Sequence, residues 1–236
     1  MLVENYYPND EITVSGWVVD GRARILAVTD RIVMDSGVHI GICSAHQFPS
    51  IHMAGREKEI REITELTTRV FGIRNGPIYY QMLVGSEGIK VNEIACRIGG
   101  AYEDMTIPEL TGVDILKMQT DFITGKPVSY ERLMTHDAWQ TGGHFSAQLF
   151  FASPGTICMQ KDPEELMRID GVFKVGYHFA KGERMGDIKN ATQRAGYFLV
   201  KGNDRHALKR RVEKVFEKLR FLDENGKNMI IKGPVL

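Results

Sequence analysis

Val91-Asn92-Glu93-Ile94-Ala95-Cys96-Arg97-Ile98-Gly99-Gly100 is the stretch on which the reading of this chain turns. In extended backbone, successive side chains alternate between faces, so Glu93, Ala95 and Arg97 share one face and Ile94 and Cys96 take the other. A carboxylate and a guanidinium therefore stand together at a strand end. Two glycines follow, and their missing side chains let a ligand approach the backbone. A carboxylate in that position suits a hard cation such as Mg²⁺, which takes oxygen ligands and bridges substrate phosphates. The planar fork of Arg97 suits a carboxylate or an acyl phosphate. The same two side chains also fit a surface ion pair worth ~0–1 kcal/mol, and these ten residues alone leave both readings open.

Working outward, the strand Ile89–Cys96 is preceded by a second strand, Ile78–Val84, across the Gly-Ser-Glu-Gly turn at 85–88. Ile60, Ile63, Leu66 and Val70 recur at helical spacing and predict an amphipathic helix over 56–71. Near the start, Ile12 to Val19 and a return strand through Ile25, Ala27 and Val28 flank Asp20-Gly21, a type I′ turn signal. Residues 35–55 mix Gly, Ser, His and Pro without periodicity and read as a long loop. Downstream, a helix over Val113–Ile123 ends at Gly125-Lys126-Pro127, and a domain boundary is expected between Pro127 and Thr141. Beyond it the pattern predicts strands at His144–Ala152, Val172–Ala180 and Gly196–Val200. Asp162-Pro163-Glu164-Glu165 should start a helix, and the closing helix runs from Asp204 to about Arg220. Strands and helices mixed without a βαβ rhythm indicate an α+β fold built on antiparallel sheet.

Composition bounds the function. With 43% hydrophobic and 25% charged residues, 236 residues suffice for a large core. Lys plus Arg number 30 against 30 Asp plus Glu, so the overall charge favours no nucleic acid and no membrane surface. No apolar run approaches the ~20 residues that span a bilayer. Three dispersed cysteines, Cys43, Cys96 and Cys158, argue against a disulfide framework and for a cytoplasmic setting. Cys43-x-x-His46 does not fit tetrahedral zinc spacing. The basic face of the last helix reads as solvated rather than as a nucleic-acid site.

The segment around Glu93 resembles the ATP-grasp ligases, in which a metal-binding glutamate on the last strand of the nucleotide lobe precedes Arg and Gly-Gly. Pro108-Glu109-Leu110-Thr111-Gly112-Val113-Asp114 is similar to the run before a helix in that superfamily, and Val3-Glu4-Asn5-Tyr6-Tyr7 resembles its hinge strand beside adenine. The resemblance covers residues 1–126, which would be the second half of an ATP-grasp domain. Residues 127–236 resemble the α+β C-terminal domain of carboxylate–amine ligases related to L-amino-acid ligases and carbamoyl-phosphate synthases. It implies ATP and Mg²⁺ (or Mn²⁺) as cofactors, with small carboxylate and amine substrates. Glu4, Asn5, Tyr6 and Tyr7 would line adenine, Glu11 would take the ribose hydroxyls, and Arg31 would lie near the phosphates. Glu93 and Gln81 would hold metal, Arg97 would act on the acyl phosphate, and Arg97, Gly99 and Gly100 would bind substrate.

Two departures stand out. Gln81 occupies the place of a second acid, and Ala95 stands where the superfamily often has Asn. The preceding lobe's glycine-rich flap and phosphate lysines are absent from these 236 residues, so the resemblance implies an excised fragment or a split-gene product. Its first lobe would then be supplied in cis or in trans, and the face left exposed would favour a homo-oligomer. The departures also suit a rival reading, a degenerate, non-catalytic module that binds a nucleotide or a partner. A purely structural α+β domain is the third.

Overall fold

The computed structural model describes residues 3, 5–34 and 41–234. The chain forms two compact units, Met1–Arg31 with Phe48–Gly142, and Ile32–Gln47 with Gly143–Leu236. The segment 127–141, where the sequence suggests a boundary, lies in the first unit, and Gly143 opens the second stretch of the other.

In the first unit, β1 (Asp10–Val19) and β2 (Arg22–Met34) form the expected hairpin. Asp20 and Gly21 have φ of 49° and 78°, both positive as a type I′ turn demands. β1 pairs on its other edge with β4 (Gly76–Gly85), which turns back into β5 (Gly88–Ala95). The antiparallel order is β5-β4-β1-β2. Register shifts leave Leu26 as an extra residue opposite Ser15 and Gly16, and Asn92 as one opposite Gln81 and Met82. Such bulges bend a strand and re-aim its side chains.

The two faces of this sheet are covered differently. One packs α1 (Met53–Val70), whose regular helix begins at Arg56 because Ala54 and Gly55 are non-helical. The Tyr80 hydroxyl lies 2.7 Å from Thr68 Oγ1 on that helix. The opposite face carries Trp17, which packs in one cluster with Ile107 of α2 (Glu103–Thr111) and Ile115 and Met118 of α3 (Ile115–Ile123). Leu133 of α4 (Glu131–Thr135) joins the same cluster. Burying each such side chain contributes about 1.5–3 kcal/mol. α2 escapes the sequence pattern because two glycines precede it and Pro108 stands in its middle.

The second unit is built on β3 (Ile42–Phe48), β6 (His144–Ala152), β9 (Val172–Tyr177) and β11 (Gly196–Gly202), in the order β3-β6-β11-β9. Here the expected loop over 35–55 is corrected: 42–48 is a strand, while 35–40 lie outside the described residues. Every β3 residue is buried, so the polar/apolar alternation that marks a half-exposed strand is absent. Short pairs complete the unit, β7 (Gly155–Thr156) with β10 (Arg184–Met185) and β8 (Met159–Gln160) with β12 (Phe221–Leu222), while β13 (Ile230–Ile231) joins β6. α5 (Pro163–Met167) and α6 (Arg205–Lys218) are capped by Asp162 and Asp204, as their sequences predict. Leu208, Val212, Val215 and Phe216 of α6 enter a core with Phe150 and Phe198. The two units together give the α+β architecture expected from the sequence.

Candidate functional site

The registers bring a row of polar side chains together across the first unit's sheet. Glu11 of β1 accepts from Arg31 Nη1 of β2 at 2.5 Å, and the same carboxylate oxygen accepts from Gln81 Nε2 of β4 at 2.7 Å. Glu93 of β5 stands directly opposite Gln81 in the pairing. Arg97, just past the end of β5, donates Nη2 to Glu93 Oε1 at 3.4 Å and lies 5.2 Å from the centre of the Tyr79 ring. Alternation along β1 puts Glu11 on the face of Trp17. The helices α2 and α3 thus pack on the Trp17 end of that face, and the row runs diagonally from Glu11 at the other end toward Arg97.

The row reads cation, carboxylate, amide, carboxylate, cation. Its inner pair is sequestered, with the Glu11 and Arg31 side chains only 17% and 15% exposed. Glu93 and Arg97 are about half exposed and available to a ligand. The amide nitrogen of Gln81 is committed to the Glu11 carboxylate, which leaves its oxygen turned away from that acceptor. Gln81 Oε1 and the Glu93 carboxylate are hard oxygen donors of the kind Mg²⁺ takes when waters and phosphates complete its shell. Among the described residues, no three His, Cys, Asp or Glu side chains cluster to hold a metal unaided. The donor set therefore fits a divalent ion brought in with phosphates, and does not fit a resident metal.

The hinge residues fall elsewhere. Glu4 lies outside the described residues. Asn5 is exposed and Tyr6 is 89% exposed, so the structure does not gather them into the row. Tyr7 is clasped to the β4–β5 turn. Its hydroxyl donates to Gly88 O at 2.7 Å, its ring supports Lys90 Nζ at 3.8 Å, and it fills the space a Cβ on Gly85 would need.

The two glycines differ. A Cβ on Gly99 would lie 2.2 Å from Glu103 Oε1 and 2.7 Å from the Tyr79 ring, whereas at Gly100 it would meet nothing within 4 Å. Tyr79 and Glu103 are the site residues that sequence reasoning missed. The only signal was Gly99 itself, whose absent side chain makes room for both. Burial pushes the Glu103 carboxyl up from its ordinary range, against the pull of its own and the Ala101 amides and of Arg97. Two clefts, of about 180 Å³ beside α3 and α4 and about 350 Å³ beside α6, are lined by other residues. The row lies on the sheet face and lines neither cleft.

Comparison with known proteins bears on the fold. Residues 148–222 match the family of the L-amino acid ligase C-terminal domain 2. Dapdiamide A synthase of Enterobacter agglomerans is 27% identical over 173 residues, 69% of this chain and 40% of that protein. Among solved structures, the L-amino acid ligase of Bacillus licheniformis superposes with a TM-score of 0.76 at 16% identity, covering 93% of this chain and 53% of that one. Phosphoribosylglycinamide synthetase of Anaerococcus prevotii gives 0.75 at 12% identity, over 93% and 55%. The biotin carboxylase domain of Hydrogenobacter thermophilus 2-oxoglutarate carboxylase, solved with MgADP, ADP and bicarbonate, gives 0.70 at 16%, over 97% and 48%. The fold is that of the ATP-grasp ligases. The chain spans two fifths to about half of the proteins it matches.

Proposed function

We propose that this chain supplies one lobe of an ATP-dependent carboxylate–amine ligase, with residues 1–126 as the second half of the ATP-grasp domain and 127–236 as the C-terminal domain. The observation that carries the reading is the row from Arg31 to Arg97, which puts oxygen donors and cations side by side on an open sheet face. In the proposed reaction a substrate carboxylate oxygen attacks the γ-phosphorus of ATP, and ADP leaves as the acyl phosphate forms. The amine nitrogen then attacks the acyl carbon, phosphate leaves, and the nitrogen gives up a proton.

Glu93 and Gln81 would hold Mg²⁺ or Mn²⁺, which when bound would supply positive charge against the substrate phosphates. The guanidinium of Arg97 grips the carboxylate and then stabilises the acyl phosphate, while the Tyr79 ring beneath it limits its freedom. Glu11, fixed by Arg31 and Gln81, presents its remaining acceptor capacity to the ribose hydroxyls. Adenine would lie along residues 4–7. Phosphoryl transfer needs position and charge more than covalent chemistry, and this row supplies both from one side. A second lobe, in cis or in trans, would close the other. No helix among the described residues is long and apolar enough to cross a membrane, and a cytoplasmic protein acting on small molecules is the matching proposal.

A non-catalytic module is the second reading. One specific observation favours it: Gln81 and Ala95 leave Glu93 as the sole carboxylate of the donor set. The two part on carboxylate-dependent phosphate release from Mg·ATP. Release that Glu93→Ala abolishes supports the ligase; nucleotide binding with no release supports the module.

A further inference from the structure

Beneath the substrate loop lies an acid that the proposed chemistry does not use. Glu103, the first residue of α2, is 6% exposed and directs its carboxyl back under the turn that follows Arg97. One carboxylate oxygen accepts from the Ala101 amide at 2.7 Å, and Glu103's own amide also bonds the carboxyl. The other oxygen, Oε1, is buried without a hydrogen-bond partner and is pressed against Gly99, with the Tyr79 ring on the same side. Between Ala101 and Glu103 the chain passes through Tyr102 in left-handed backbone, φ 66° and ψ 33°, unusual for a side chain of that size. A buried half-satisfied carboxyl, a left-handed tyrosine and a glycine with no room for a methyl group each disfavour the fold locally. Such features persist where the surroundings over-determine them, and they cluster at functional sites.

We infer that Glu103 is a positioning residue: it ties the Arg97–Ala101 turn down from beneath, so that Arg97 lies along Tyr79 with its guanidinium toward the substrate carboxylate. The role of Arg97 rests on the ligase reading; the tie between Glu103 and the turn does not. The arrangement also explains why an acid can sit here. Of the charged groups that act on it, Arg97 favours its ionised form and Asp104 opposes it, while burial outweighs both and favours the neutral carboxyl.

The test uses the full-length protein and its Glu103→Gln, Glu103→Ala, Glu103→Asp, Gly99→Ala and Arg97→Ala variants. Phosphate release from Mg·ATP is followed with the twenty L-amino acids as carboxylate and amine probes. Backbone amide exchange at residues 97–101 is read in parallel and needs no substrate. Glu103→Ala and Gly99→Ala are expected to raise the amino-acid KM at least tenfold, with the KM for ATP unchanged within twofold, and to speed exchange at 97–101 while the sheet amides stay protected. Glu103→Gln keeps the shape and the acceptor for the Ala101 amide, and is expected to match the wild type. Glu103→Asp keeps the acid but is one methylene short, and is expected to behave like the alanine variant. An active Glu103→Asp beside an inactive Glu103→Gln would overturn the inference, as would unchanged exchange at 97–101 in Glu103→Ala. If Glu103→Ala does not fold, the order of the Gln and Asp variants still decides. An unchanged amino-acid KM in Arg97→Ala would sink the ligase assignment of Arg97 and leave the exchange result standing.

Discussion

Removing Glu11 tests whether the polar row is a built feature of the sheet. Its carboxylate takes two donors, Arg31 at 2.5 Å and Gln81 at 2.7 Å, with about one sixth of each charged side chain exposed. An exposed ion pair contributes about 0.2–1 kcal/mol, and breaking a buried one costs about 3–5 kcal/mol. This pair lies between those limits, discounted for its exposure. Glu11→Ala removes the acceptor that a guanidinium and an amide share, so a loss of about 2–3 kcal/mol is expected. For a protein of this size that lowers Tm by about 4–12 °C. Urea unfolding of wild type, Glu11→Ala, Arg31→Ala and the double variant isolates the pair, with an expected coupling of about 1–2 kcal/mol. The coupling should change little between low and high salt, because a sequestered pair is weakly screened. A coupling under about 0.3 kcal/mol, or one abolished by salt, would mean the pair is solvated, and the argument for a pre-arranged row would fail.

Other outcomes follow from the packing and the buried acid. Phe198→Ala should cost about 3–5 kcal/mol, because its ring is fully buried between Phe150 and Phe216, and a chemical-denaturation midpoint measures it. Gly16→Ala should destabilise the first unit by about 1–3 kcal/mol, since the new methyl carbon would fall 2.4 Å from Arg24 O at the bulge; wild-type thermal stability would rule that out. Glu103 has a raised carboxyl, so the stability it carries is complete below the ordinary glutamate range and is lost as pH rises through its value in the fold. Urea titrations from pH 4 upward should therefore show a decline that Glu103→Gln flattens, and identical slopes would contradict it.

Turn, cap and helical-period chemistry could be read from the sequence. The hairpin at Asp20-Gly21, the helix from Arg56 and the capped starts at Asp162 and Asp204 all carry period or turn chemistry that survives in the structure. β3 was illegible because its buried Ser44, His46 and Gln47 interrupt the apolar run, and α2 because Pro108 and the preceding glycines hide it. Within the site, alternation along β5 was enough to put Glu93 and Arg97 together, and the strand ends did so at 3.4 Å. The partnership of Glu11 with Arg31 and Gln81 depends on the register of three strands, which no local pattern encodes. The burial of Glu103 depends on a turn whose shape only the folded loop reveals.

The proposed activity is tested most directly by phosphate release from Mg·ATP, with the preceding lobe joined in cis or added in trans, in wild type, Glu93→Ala and Arg97→Ala. Release is expected to require both a carboxylate and an amine, and each substitution should lower kcat/KM by about 100-fold or more. Wild-type turnover in either variant would contradict the assignment of this row as the ligase site.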